Sequence, residues 1–156
     1  MTDQVECQGI WKIYGKREVE SLAIIEQRRL TKGEAHKELD CVIGVRDASF
    51  AVKQGEIFCI MGLSGSGKST LVRHINRLIE PTAGEVRVNG ELISSLDEKA
   101  MRRLRAETIG MVFQHMALWP HRTIRDNVSF GLEIRGVNER ERHHAAAKAL
   151  EAVQLA

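Results

Sequence analysis

Residues 56–80, "EIFCIMGLSGSGKSTLVRHINRLIE", place an apolar run, a glycine-rich loop and an amphipathic helix in immediate succession. No other stretch restricts the fold as tightly. "EIFCIM" (56–61) is nearly continuous in apolar residues, which predicts a strand covered on both faces, as in a parallel sheet. Cys59 then reads as buried packing. From residue 69 to 80, apolar residues at 71, 72, 75, 78 and 79 share one helical face, and Pro81 ends the pattern. Between the two, Gly62 to Ser69 fit G-x-x-x-x-G-K-[ST].

Each residue type in that loop has a physical reason. Glycines reach backbone angles closed to other residues, and their bare Cα atoms let amides approach a ligand closely. The amides of Gly62, Ser64, Gly65, Ser66 and Gly67 can then converge as a nest for anionic oxygens. The positive end of the helix that begins near Ser69 points to the same place. Lys68 would bridge the β- and γ-phosphates as a point charge, the Ser69 hydroxyl would ligate Mg²⁺, and Thr70 could reach the α-phosphate.

The remaining pattern organises around this unit. "VECQGIWKIYG" (5–15) predicts a strand and a turn. Residues 17–30, with apolar positions at 19, 22, 23 and 30, predict an amphipathic helix, and Thr31 with Glu34 has capping-box spacing for a second. "VIGVRDASFAV" (42–52) alternates as a half-buried strand does. "EVRVNGELI" (85–93) predicts strand, Asn-Gly turn, strand. Ser95 and Glu98 predict the cap of a basic helix reaching about Arg105, and "IGMVF" (109–113) a further strand. Thr123 caps a predicted helix to about Ile134, and Asn138 with Glu141 begins the last one.

Composition narrows the classes. With 43% hydrophobic residues the 156-residue chain can bury a core, which excludes wholesale disorder. The 23 basic residues against 21 acidic ones leave a charge of +2, too balanced to point to nucleic acid. Cys7, Cys41 and Cys59 lack CxxC spacing, so neither a disulfide framework nor a zinc site is expected. The opening "MTDQVECQGI" shows no secretory signal, and no run reaches the ~18 apolar residues of a membrane span. A cytoplasmic protein is the expectation. Clusters such as "RRLR" (102–105) and the pair His143–His144 read as solvated helix faces.

Several reaction classes share such a loop, and no Asn-Lys-x-Asp guanine reader is present. The sequence resembles the ATP-binding subunits of ABC transporters. The resemblance is carried by "GEI" (55–57), "GLSGSGKST" (62–70), "LIEPTAGEVRVNG" (78–90) and "IGMVFQHMALWPHRTIRDNVSFGL" (109–132). The long stretch 16–42, followed by "GVRDASFAVKQGEIFCIMGLSGSGKST", is similar to the glycine betaine/proline (quaternary amine) uptake branch. The resemblance implies an α/β phosphate-loop NTPase fold of the ABC type, partial here. It would carry an antiparallel β subdomain and the start of a helical subdomain. It implies one partial nucleotide-binding domain over 1–156: a helical insertion at 16–42, a phosphate-loop core at 43–113, and the glutamine loop with the beginning of the helical subdomain at 114–156.

The resemblance also implies roles. ATP and Mg²⁺ are the implied cofactors. Gln114 would touch Mg²⁺ and the attacking water, with Ser69 as the other metal-binding residue. Tyr14 would stack on adenine, with Trp11 as the competing ring. Implied partners are a membrane permease subunit, a second ATP-binding subunit and, indirectly, a solute-binding protein, which places the assembly on the inner face of the cell membrane. "HMALWPH" (115–121) would lie near the permease. The family's signature loop, its Asp-Glu strand end and its switch histidine do not follow Gln114. His115, His121, His143 and His144 do not replace the last of these. The expectation is therefore an amino-terminal fragment that binds nucleotide without turnover. Three rivals share the loop: a soluble phosphate-loop kinase, which leaves Gln114 without purpose; a non-catalytic nucleotide-sensing or regulatory module that pairs with a full-length subunit; and a soluble ABC-type ATPase acting on nucleic acid, against which the near-neutral charge and the betaine-like insertion stand.

Overall fold

β-Branched and aromatic residues make up half of "VECQGIWKIY", and in the computed structural model this stretch lies in one long strand, β1 (Asp3–Tyr14). The structure describes residues 3–114 and 118–155. They fall into two compact units divided between Arg105 and Ala106.

In the first unit β1 pairs antiparallel with β2 (Val42–Lys53) on one side and β3 (Ala83–Val88) on the other. β3 turns back into the short β4 (Glu91–Leu92), giving the order β2-β1-β3-β4. The turn between β3 and β4 is Asn89-Gly90, both at positive φ (52° and 80°), the backbone a tight twisted hairpin needs.

Residues between β1 and β2 form two helices, α1 (Glu18–Arg28) and α2 (Lys32–Leu39). Thr31 and Glu34 close the expected capping box: the Thr31 hydroxyl accepts from the Glu34 amide, and the Glu34 carboxylate accepts from the Thr31 amide. Leu22 and Ile25 of α1, Leu30 and Ala35 pack with Trp11, Ile13, Cys41 and Ile43 into one core. Val19, expected on the apolar face of α1, is exposed.

The glycine-rich loop leads into α3 (Lys68–Ile75), shorter than the predicted 69–80. The helix stops because Arg77 takes a left-handed conformation (φ 52°). The Arg77 amide then bonds to the His74 carbonyl and the Leu78 amide to the Arg73 carbonyl, the Schellman arrangement normally built on glycine. Hydrogen bonds from the Arg77 guanidinium to Glu80 and to the Ile93 and Leu96 carbonyls hold it there. After a 3₁₀ turn at Ile93–Ser95, α4 (Glu98–Glu107) packs Met101 and Leu104 inward. Its cap differs from the Ser95–Glu98 expectation. Asp97 accepts from the Ala100 amide, while the Ser95 hydroxyl donates to the Leu92 carbonyl.

Two predicted strands are absent. Residues 56–61 have no strand partner among the described residues, and Ile57 is 91% exposed. Residues 109–113 are likewise irregular, with Val112 98% exposed. A two-sided apolar strand takes its hydrogen bonds from neighbours, and no described strand runs beside either segment. Cys59, expected buried, is exposed for the same reason. Phe58 has found one partner: its ring stacks on Phe50 of β2 at 4.9 Å.

In the second unit α5 (Ile124–Ile134) and α6 (Glu139–Ala152) form a helical pair. Their caps are the expected ones: Thr123 accepts from the Asp126 amide and Asn138 from the Glu141 amide. Arg122 bonds Glu133 of α5 at 2.8 Å and His143 of α6 bonds Asp126 of α5 at 2.9 Å.

Candidate nucleotide-binding site

The loop builds its geometry from Gly67 outward. Gly67 is the N-cap of α3, at φ 99°, and no side chain caps the helix. The first amides of α3 therefore stay available to an anion, with the helix dipole behind them. Gly67 has a second reason to be glycine. A Cβ there would stand 2.0 Å from the Gly44 carbonyl oxygen of β2, closer than any atom can sit. The loop is thus pressed onto β2 by the absence of a side chain.

Lys68 reaches back over the loop. Its Nζ donates to the carbonyls of Gly62 (2.8 Å) and Leu63 (2.7 Å) and lies 3.4 Å from the Ser66 hydroxyl. The Ser66 amide bonds to the Leu63 carbonyl. The ammonium is therefore held over the loop by two carbonyls, for which a phosphate oxygen can exchange. Gly65 lies in the loop at positive φ with open space around its Cα. Ser64 and Ser69 are exposed, so both hydroxyls face solvent.

Tyr14 ends β1 beside this loop. The residue is 39% exposed, and its hydroxyl lies 3.4 Å from the Thr70 hydroxyl in the first turn of α3. Trp11, the competing ring, is buried in the core with α1 and α2, with the Arg46 guanidinium 5.5 Å from its ring centre. Of the two rings, only Tyr14 offers surface next to the loop.

Gln114 lies in the second unit, in a bend after 109–113, and its side chain is exposed. Residues 115–117, including His115, lie outside the described residues. Beyond them, Asn127 of α5 clamps Trp119: its Oδ1 accepts from the Trp119 amide (2.7 Å) and its Nδ2 donates to the Trp119 carbonyl (3.1 Å). The Trp119 indole meets Phe130 and His121 edge-on and stays half exposed.

The residues present fit a magnesium–nucleotide ligand. An uncapped helix start, the Lys68 ammonium held over the loop and an exposed Ser69 hydroxyl suit polyphosphate oxygens. Mg²⁺ arriving on phosphates needs only one or two protein oxygens. Among the described residues there is no cluster of three His, Cys, Asp or Glu side chains of the kind a resident metal uses.

Sequence reasoning missed three contributors. Lys12 and Glu18 form an ion pair behind Tyr14, and Gly44 lies under both Tyr14 and Gly67. A glycine inside a predicted strand was the available signal for the last of these.

A phosphate loop at a helix start, an aromatic ring beside it and an antiparallel sheet in front define a nucleotide-binding domain of the phosphate-loop kind. The ABC transporter family profile matches residues 45–156, and the chain belongs to that family. It is 46% identical over 153 residues to the glycine betaine/carnitine transport ATP-binding protein GbuA of Listeria monocytogenes, covering 98% of this chain and 38% of that protein. It is 45% identical over 155 residues to the glycine betaine/proline betaine transport system ATP-binding protein ProV of Escherichia coli, covering 99% of this chain and 38% of that one. The chain thus spans about two fifths of the length of these relatives. Among solved structures, the ATP-binding cassette MJ0796, a dimer bound to ADP and Pi, matches with a TM-score of 0.74 and 27% identity. That match covers 94% of this chain and 56% of the cassette. The fold is therefore the α/β fold of an ABC cassette, present in part. No helix among the described residues is long and apolar enough to cross a membrane.

Proposed function

We propose that this chain supplies the ATP-binding part of the energy-coupling subunit of an ABC importer for glycine betaine/proline-type compatible solutes. The observation that carries the reading is the reach of the similarity. Identity of 45–46% to betaine-transport ATP-binding proteins runs over nearly the whole chain, including the helical stretch 16–42, which lies before the residues 45–156 matched by the family profile. Within that reading the chain divides into the insertion at 16–42, the phosphate-loop core at 43–113, and the glutamine loop with the first helices of the helical subdomain at 114–156.

The loop amides and Lys68 bind the β- and γ-phosphates. The Ser69 hydroxyl and Gln114 serve Mg²⁺, Thr70 reaches the α-phosphate, and Tyr14 covers one face of adenine. Mg²⁺ supplies charge neutralisation at the phosphates; the chain's own residues position them. In the assembled protein two ATP-binding subunits sit on membrane permease subunits at the inner face of the membrane, with solute delivered by a binding protein. Clamped by Asn127, Trp119 lies in the segment that meets the permease, so its replacement weakens coupling more than ATP affinity.

Calorimetric titration with Mg-ATP tests the core of this reading. The chain should bind, and Lys68→Ala should weaken binding by at least about tenfold, the scale of one lost charge-assisted contact. Unchanged affinity in Lys68→Ala would overturn the site. Betaine uptake by cells carrying the complete transporter, lost with the same substitution, tests the transport role.

A further inference from the structure

Gly44 sits inside β2, where glycine costs stability and packs nothing. Its backbone is not in the left-handed region, so conformation does not demand glycine there. Space does. A Cβ at Gly44 would stand 2.6 Å from Cε2 and 3.1 Å from Cδ2 of Tyr14, and 3.4 Å from the Lys12 carbonyl. The Cδ2–Cε2 edge of the aromatic ring therefore occupies the space that a side chain at Gly44 would need. One bond further along, the Gly44 carbonyl is the atom against which Gly67 of the phosphate loop is pressed. A single residue of β2 thus touches the ring at one end of the site and the loop at the other.

We propose that Gly44 is a positioning residue for the nucleotide site: its missing side chain seats the Tyr14 ring at the depth and tilt from which it can cover a purine. The inference rests on the reading of Tyr14 as the adenine-stacking ring. The other restraints on the ring are soft. The Tyr14–Thr70 hydroxyl contact is long at 3.4 Å, and the Lys12 ammonium lies 5.3 Å from the ring centre. Backbone under the ring cannot yield as a side chain can. A methyl group at Gly44 therefore moves the ring, and its effect falls on the base and not on the phosphates.

The experiment compares ATP with tripolyphosphate, which has the phosphates and no base, in the intact chain and in Gly44→Ala, Tyr14→Ala and the double variant. Stacking on one aromatic ring sets the scale, so Gly44→Ala should lower ATP affinity about fivefold or more and leave tripolyphosphate within about twofold. Once Tyr14 is alanine, adding Gly44→Ala should cost nothing further. If Tyr14→Ala weakens ATP selectively and Gly44→Ala does not, the positioning role is overturned and the role of Tyr14 stands. If Tyr14→Ala leaves the ratio of the two affinities unchanged, the adenine reading fails and the inference with it. Equal losses for both ligands in Gly44→Ala would mean a damaged loop and would overturn the proposal. If Gly44→Ala does not fold, the double variant decides: folding restored by removing the ring supports the seat, and folding not restored overturns it.

Discussion

Lys12 Nζ lies 2.7 Å from Glu18 Oε2, joining the strand that carries Tyr14 to the first residue of the inserted helix α1. Lys12 is only 8% exposed, so the ion pair with Glu18 offsets the burial of its ammonium. The same Glu18 oxygen accepts from the Thr82 hydroxyl at 3.0 Å, and Thr82 accepts from the Ile13 amide. The insertion is therefore bolted to the strand behind the ring.

Glu18→Ala should destabilise the fold by about 1–3 kcal/mol or more, the cost of stranding a buried polar group. Replacing both partners together, Lys12→Met with Glu18→Leu, should recover much of the loss because no charge is left buried. The hydrogen bond from Lys12, with that from Thr82, holds the Glu18 carboxyl below its ordinary value near 4.5. Its contribution is complete above about pH 4.5 and is lost as pH falls through the lowered value. Urea titrations from pH 3 to 7 should show an acid limb that is shallower in the double variant.

Gly67→Ala combines two penalties. The left-handed backbone costs about 1–2 kcal/mol and the overlap with the Gly44 carbonyl about 1–3 more. The expected result is a loss of roughly 2–5 kcal/mol together with phosphate binding. Gly65→Ala is the control. It also has positive φ but meets nothing within 4 Å, so only the smaller backbone cost applies. Thermal melts with and without Mg-ATP separate the two variants.

His74, on α3 and fully buried, gives a pH dependence of different origin. Its Nδ1 lies 2.7 Å from the Ile79 carbonyl and donates to it, while Nε2 has no partner among the described residues. Burial holds the imidazole below its ordinary 6.5, against the opposing pull of the Ile79 carbonyl and aided by the charge of Lys12. The folded state thus resists a proton that the unfolded chain accepts. Stability is full above about pH 6.5 and falls as pH drops toward the lowered value. In His74→Leu the decline below pH 6.5 should flatten. An unchanged slope there would count against the neutral buried form.

Asn127→Ala should free the 118–123 loop. It removes both bonds to Trp119 and a donor to the Arg122 and Thr123 carbonyls. A cost of about 1–3 kcal/mol is expected, concentrated in the second unit. In a Trp11→Phe background, where Trp119 is the remaining indole, red-shifted emission and faster amide exchange at 118–123 would report the release.

Local signals carried much of this protein. The capping box at Thr31, the side-chain caps at Thr123 and Asn138, the Asn89-Gly90 turn and the loop from Gly62 to Lys68 are short-range chemistry, written where it acts. Arg77 marks the limit of such reading. Arginine rarely ends a helix in the left-handed region, and it does so here because carbonyls 16 and 19 residues away, at Ile93 and Leu96, hold its guanidinium. The strands predicted at 56–61 and 109–113 failed for a related reason. Apolar runs state a demand for neighbours, and only the folded sheet decides whether neighbours are there.

By itself, then, the sequence determined the glycine-rich loop from Gly62 to Gly67 and the helix that starts behind it, because glycine spacing and caps act within a few residues. Tertiary structure decided what seats the ring. Tyr14, Gly44 and Gly67 are far apart in the chain and meet only because β2 pairs with β1 and the loop folds down upon it. The fit depends on two side chains that are absent, and an absent Cβ has meaning only once the atoms that would occupy its place are in position.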